Sequence, residues 1–214
     1  MTSARGVRPP ARTSRPVARR RSPYQRLPRR FFARDTVLVA RELLGQFLVH
    51  ETAAGRLVGR IVETEAYRGD RDPASHAYRR TARSEIMYGL PGIAYIYLSY
   101  GVHYCMNVVT ESRNRPGAVL LRALEFVEGP THGGQQRDAR LAAGPGRLTA
   151  VMRVGPQHNG ADLTRPPLYV ARGNGSPGAI ASGRRIGINS AQTRRWRFGI
   201  AGHPSLSRPF RPPL

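Results

Sequence analysis

The sequence, 214 residues long, predicts a mixed α+β domain built on a curved, largely antiparallel sheet. Three observations lead there. Strand-like runs are short and joined mostly by turn residues, helical periodicity is scarce, and no internal repeat is present. The length suits one domain with a substantial core.

Residues 1–28 read as a disordered Arg/Pro-rich basic arm. From Met1 to Arg30 there are ten arginines, five prolines and no acid, with little apolar surface to bury. An organellar transit peptide shares that composition, but the prolines would interrupt its amphipathic helix. The folded domain is expected over residues 29–210, with order beginning at Phe31-Phe32. Asp35 is placed to cap a helix over 37–44 whose apolar face is Val37, Ala40, Leu43 and Leu44, and Gly45 to end it. Residues 46–50 and 56–67 read as strands joined through Ala54-Gly55. A polar loop over 68–84 carries Asp70, Asp72, Pro73 and His76, and connections of that length are more often functional than incidental.

A strand over 95–100 is broken at Gly101, and 102–109 returns antiparallel, which sets Tyr100 at the turn. Residues 118–126 form the next strand, with Arg122 embedded between Leu121 and Ala123. Gly144-Pro145-Gly146 opens a short helix to Met152. The last third is rich in Gly, Pro and Arg, with weak strands at 167–171, 185–188 and 197–200.

Composition limits the partners. All 35 basic residues are arginines, against 13 acids, for a net charge of +22. Residues 31–214 still hold 25 arginines against the 13 acids, so the domain is basic without its arm. Such a surplus suits a polyanion, because each neutralised phosphate releases counterions. The lone Cys105 excludes an intramolecular disulfide and fits a reducing compartment; within Tyr104-Cys105-Met106 it reads as packed. No run reaches the ~18–20 apolar residues of a membrane span, and no signal-peptide core is evident. His76 and His103 lack acids or cysteines at ligand spacing, so neither a metal nor a cofactor is expected.

The chemistry concentrates in Arg60-Ile61-Val62-Glu63-Thr64-Glu65-Ala66-Tyr67. Alternation puts Ile61, Glu63, Glu65 and Tyr67 on one face and Val62, Thr64 and Ala66 on the other. Two carboxylates on an apolar strand are costly to bury unpaired. They mark either an exposed edge strand with a solvated acidic face or a site. Tyr67, His76, Tyr95, Tyr97, Tyr100 and Tyr104 follow closely. Tyrosines pack cores as readily as they stack on bases, and for Tyr95 and Tyr104 packing is the expectation. A turn tyrosine such as Tyr100 is suited instead to wedging into a base stack. A base rotated out of a duplex could lie between such rings while Glu65 deprotonates a water aimed at the sugar carbon. Arg122 could hold that water or keep Glu65 ionised; its other expected partners are Glu125 and Glu128.

Beyond these separate signals, a set of segments resembles the alkyladenine (3-methyladenine) DNA glycosylase family. They are Ile61-Val62-Glu63-Thr64-Glu65-Ala66-Tyr67, Asp72-Pro73-Ala74-Ser75-His76, Pro91-Gly92, Tyr95-Ile96-Tyr97-Leu98-Ser99-Tyr100-Gly101, Cys105-Met106-Asn107 and Leu120-Leu121-Arg122-Ala123-Leu124, with a weaker match at Gly144-Pro145-Gly146. The segments stand in compatible order and spacing, and the resemblance as a whole extends from roughly Phe31 to Ser207, about four-fifths of the chain. The resemblance implies a monofunctional, metal-free hydrolase of N-glycosyl bonds that flips damaged purines from double-stranded DNA and leaves an abasic site. Glu65 would be the general base with Arg122 beside it. Tyr67 would stack on one face of the flipped base, and His76 with Tyr97 on the other. Tyr100 would fill the gap in the duplex, and Asn107 would discourage normal guanine. The implied fold is one domain whose curved antiparallel sheet is flanked by short helices and carries a protruding β-hairpin. The protein is expected as a monomer, off the membrane, in a bacterial-type cytoplasm at the nucleoid.

Three positions depart from the family pattern. Val102 stands where a larger Met is common and is expected to alter pocket breadth. Ala143 replaces a usual Ser. Gly199 replaces a strand aromatic and is expected to loosen that edge. Two other functional classes compete with the resemblance. A non-catalytic nucleic-acid binder explains the arginines but not a carboxylate among them. An inverting sugar hydrolase would use Glu63 with Glu65, whose offset of about 7 Å on a strand fits a carboxylate pair of that type.

Overall fold

A computed structural model of the chain describes residues 22–129 and 138–210. Most of the arm expected over 1–28 lies outside them, but Ser22 to Pro28 do not belong to it. Leu27 is buried in the main core and its N–H donates to the Val170 carbonyl at 2.9 Å. Tyr24 packs edge-on against Phe47 at 5.3 Å. Backbone pairing adds to these contacts: the Arg172 N–H donates to the Gln25 carbonyl at 2.7 Å, and Arg26 bridges to Ala171.

The first short helix, α1 (Arg29–Phe32), leads into α2 (Thr36–Glu42). Asp35 caps α2 as expected: its Oδ1 accepts from the N–H groups of Val37 and Leu38 at 2.9 and 3.1 Å, satisfying donors that a helix start leaves unpaired. Gly45 follows at φ 83°, a left-handed position open to glycine at little cost.

Strands β1 (Phe47–Thr52) and β2 (Gly55–Tyr67) form the expected hairpin. The remaining strands are β3 (Ala94–Ser99), β4 (His103–Val109), β5 (Ala118–Glu128), β6 (Leu168–Ala171), β7 (Ile180–Gly183) and β8 (Arg197–Ile200). The helix opened by Gly144-Pro145 is α3 (Pro145–Val151). Every strand pair is antiparallel, in the order β3-β4-β5-β2-β1-β6, with β8 joining β2 and β7 joining β8. The result is a single α+β domain on a curled antiparallel sheet. Among the described residues no helix is long and apolar enough to cross a membrane.

One weak strand is corrected. Residues 185–188 are irregular, and the strand that pairs with β8 lies upstream at β7. The chain at 185–188 instead carries a buried arginine and an N–H used elsewhere, as described below.

β2 organises the sheet. Along one side it pairs with β5, with register slips around Val62; along the other it pairs with β1 over its first half and with β8 at Glu63–Glu65. It is therefore no edge strand, and the solvated acidic face is excluded: Glu63 and Glu65 are both fully buried. On the opposite face, Thr64 Oγ1 donates to the Ala40 carbonyl at 2.8 Å, docking α2 over the strand. Val62 and Ala66 join the main apolar cluster beneath it.

The β3–β4 hairpin turns at Ser99–Val102, closed by the Val102 N–H donating to the Ser99 carbonyl at 3.0 Å. Tyr100 and Gly101 both adopt positive φ, 50° and 69°. A bulky residue there is uncommon, and such strain persists only where the surroundings or a function require it. Tyr100 is 86% exposed, so no packing contact explains the ring. Val102 is equally outside the interior, at 80% exposure, and does not line the cavity described next; it cannot set pocket breadth directly. The edge at Gly199 is not loose either. A Cβ there would meet Phe210 at 2.5 Å, so the Phe210 ring occupies the place of the missing side chain.

Candidate active site

A cavity of about 710 Å³ opens between the β3–β4 hairpin, the loop over 73–76 and the irregular segment over 186–190. It gathers Tyr67, His76, Tyr97, Tyr100, Asn107 and Arg122 on its walls. A groove of similar volume lies along α1 and α2, lined by Phe31, Leu38, Arg41 and Ile180 among others, but it holds none of these groups. Chemistry, rather than volume, selects the first.

Glu65 stands beside the cavity. Its Oε1 accepts from the Ile186 N–H at 2.8 Å and its Oε2 from the Tyr67 hydroxyl at 2.9 Å, with Arg122 Nη1 at 3.3 Å from Oε2. Burial raises the carboxyl above its usual range, while Arg122, the Ile186 N–H and the Tyr67 hydroxyl pull against it. The outcome is a carboxylate more basic than an exposed one, held beside a permanent cation.

Glu63 is a different object. Its Oε1 accepts from Arg122 Nε at 3.0 Å, Arg197 Nε at 2.7 Å and Ser207 Oγ at 2.8 Å; its Oε2 accepts from the Ser207 N–H at 2.6 Å. Three of those donors converge on Oε1 and one reaches Oε2, so two guanidinium groups and Ser207 hold the carboxylate inside the fold. Glu63 is fully buried, held by structural donors and absent from the cavity lining, which removes the support for a paired-carboxylate sugar hydrolase. The expected pairing of Arg122 with Glu125 or Glu128 is corrected too: Arg122 bridges Glu63 and Glu65. Glu125 and Glu128 instead meet Arg60 and Arg56.

The aromatic walls are fixed from behind. Tyr67 is held by its bond to Glu65, and the Arg185 guanidinium lies 4.7 Å from its ring centroid. Arg185 is clamped in turn by Asp72, with Nη2 donating to Oδ1 at 2.8 Å and Nη1 to the second oxygen, and by the Ala66 carbonyl at 3.0 Å. The phenol pKa of Tyr67 is raised well above normal by burial and then by Glu65, so it stays a donor. On the other wall, His76 Nδ1 is 2.8 Å from the Tyr95 hydroxyl, and its ring meets Tyr97 edge-to-face at 4.6 Å. Burial, then Arg83, lowers the His76 pKa, leaving the imidazole neutral at pH 7. Asn107 is buried, with Nδ2 donating to the Tyr95 carbonyl at 3.1 Å. Tyr95 packs inside, as expected of it, yet its hydroxyl holds His76.

The structure thus brings Glu65, Arg122, Tyr67, His76, Tyr97 and Asn107 around one cavity, with Tyr100 at its exposed rim. It also uses residues that sequence reasoning missed: Arg185, Ile186, Arg197 and Ser207. Their partners lie more than a hundred residues away along the chain, and no local pattern marks them. Asp72 did carry a signal, since it sits in the Asp72-Pro73-Ala74-Ser75-His76 segment, but its role as the Arg185 clamp was not readable.

Comparison with known proteins agrees with this architecture. The family model described as Methylpurine-DNA glycosylase (MPG) matches residues 30–204. A protein of Desulfitobacterium hafniense (strain Y51) is 43% identical over 191 residues, covering 81% of this chain and 94% of its own length. One from Carboxydothermus hydrogenoformans is 44% identical, covering 85% of this chain and 98% of its own length. A third, from Anaeromyxobacter dehalogenans, is 45% identical, with 86% of each chain covered. All three carry the name "Putative 3-methyladenine DNA glycosylase".

Proposed function

The chain belongs to the methylpurine-DNA glycosylase family, and from that premise we propose that it excises damaged purines by flipping them from duplex DNA and hydrolysing the N-glycosidic bond. The observation that carries this reading is Glu65: a buried carboxylate with a raised pKa, bonded to two residues of the cavity wall, Tyr67 and Ile186, and next to a third, Arg122.

Glu65 takes a proton from a water molecule as the water oxygen bonds to the sugar anomeric carbon. The carbon–nitrogen bond breaks and its electron pair leaves with the purine, yielding free base and an abasic sugar. A cationic alkylpurine departs as a neutral molecule; a neutral lesion takes up a proton from solvent water as it leaves. Arg122 favours the ionised form of Glu65 against the effect of burial. Tyr67 stacks on one face of the extruded purine, and His76 with Tyr97 on the other. Tyr100, exposed on a strained turn, enters the space the purine vacates. Asn107, buried and tied to the Tyr95 carbonyl, is a fixed amide against which an extra exocyclic amine clashes. The arginine surplus holds the phosphates, and residues 1–21 add seven further arginines to that attraction. We place the reaction in the bacterial cytoplasm, on nucleoid DNA, by a monomer that needs no cofactor.

The test is single-turnover incubation with duplexes that carry one alkylated or deaminated purine, against the undamaged sequence. Free base and an alkali-labile strand from the damaged duplex alone are expected. Tight binding to both duplexes without base release would make the protein a binder and overturn the catalytic reading.

A further inference from the structure

Arg83 is not among the residues assigned above, yet it lies on the wall of the cavity. It is exposed at the end of the loop that carries His76. Its Nε donates to the Tyr95 hydroxyl at 3.3 Å, the same hydroxyl that meets His76, and its guanidinium carbon lies 4.9 Å from the Tyr97 ring centroid. Nearby Arg80 is neutralised by Glu85 at 2.6 Å. Among the described residues no carboxylate pairs with Arg83.

The opposite wall has a parallel arrangement, in which the Arg185 guanidinium lies over Tyr67. Each stacking tyrosine therefore already has a protein cation on its π system. An aromatic face attracts a cation through its ring quadrupole, and a guanidinium in place draws on the same electron density. A second cation arriving in the pocket meets a weakened attraction plus direct repulsion from Arg83, whose charge no acid offsets. Arg185 differs, since Asp72 balances it.

We propose that Arg83 is a specificity-determining residue that sets the charge preference of the pocket, lowering its selectivity for cationic purines and favouring neutral damaged ones. The inference rests on the glycosylase reading. Arg83 acts through the stacking wall and through its own charge; it touches neither the scissile bond nor Glu65. A neutral His76 on the same wall adds no charge of its own and is consistent with this preference.

The experiment compares two duplexes of one sequence, with either 7-methylguanine, a formal cation, or hypoxanthine, which is neutral, at the same position. Single-turnover base release is measured for the full chain and for Arg83→Gln, after subtraction of spontaneous depurination. The ratio of the 7-methylguanine rate to the hypoxanthine rate is expected to rise about tenfold in Arg83→Gln, with the melting temperature unchanged because the side chain is exposed. An unchanged ratio, including an equal fall in both rates from a lost phosphate contact, would overturn the assignment. Wild-type protein that releases neither base would instead contradict the glycosylase reading on which the inference stands.

Discussion

Glu63 and Glu65 leave the same strand two residues apart, both wholly buried, and their surroundings give them opposite characters. Glu63 is anchored by two guanidinium groups and by both donors of Ser207. Glu65 has one charged neighbour at 3.3 Å, one phenol and one N–H, and burial pushes its pKa up. Arg122 joins them, donating to the first and standing beside the second. Burial alone therefore says little about what a carboxylate does. The count and charge of its donors separate a structural anchor from a base.

The contrast is most easily broken at Glu63. Glu63→Gln keeps the shape but leaves Arg197 with no carboxylate and Arg122 with only Glu65, so about 3–5 kcal/mol of stability should be lost. Thermal or denaturant melting reads this directly, and an unshifted transition would mean that the anchor is not one. A smaller effect is expected at the hairpin tip. Tyr100→Ala removes an exposed ring that no part of the fold rests on, so melting should not change. Base release at subsaturating enzyme should fall by about tenfold, in line with the ~1–3 kcal/mol of a base–aromatic contact. A loss of stability in that variant would show that the tip is a structural element and not a DNA wedge.

The smallest effect sharpens the assignment of Glu65. Its folded pKa is raised, so the ionised base exists only above that raised value, and base release should fall as pH drops through it. Tyr67→Phe keeps the stacking ring but deletes the hydroxyl that donates to Oε2. That bond lowers the pKa, so its removal should move the acid limb of the pH–rate profile to higher pH. A limb that moves to lower pH would show that the phenol does not stabilise the ionised form.

Much of this arrangement was legible in the sequence because it depends on short-range rules. Strand alternation placed Glu63, Glu65 and Tyr67 on one face, and Asp35 and Gly45 bracketed α2 at positions dictated by helix ends. The turn at Tyr100-Gly101 followed from a glycine between two β-runs. What could not be read depends on long-range closure. β2 is an interior strand only because β8 comes back to it from the far end of the chain. The guanidinium groups of Arg185 and Arg197 reach Asp72 and Glu63 from that same region. In a chain with 35 arginines, no local pattern says which one will be buried. The segment over 185–188 misled for the same reason: its β-branched residues look like a strand, but its N–H at Ile186 is committed to Glu65 rather than to a ladder.

One comparison decides between anchor and base: Glu65→Gln against wild type, measured for base release and for thermal stability on the same preparation. Gln can still accept from Tyr67 or Ile186, and it removes an ionised group whose burial is costly. With the folded pKa of Glu65 raised, its charged form subtracts stability at neutral pH. The substitution should therefore hold or raise the melting temperature, keep duplex binding, and cut base release by about 10²–10⁴-fold. A variant that melts far lower, or one that still turns over at the wild-type rate, would contradict the assignment of Glu65 as the base.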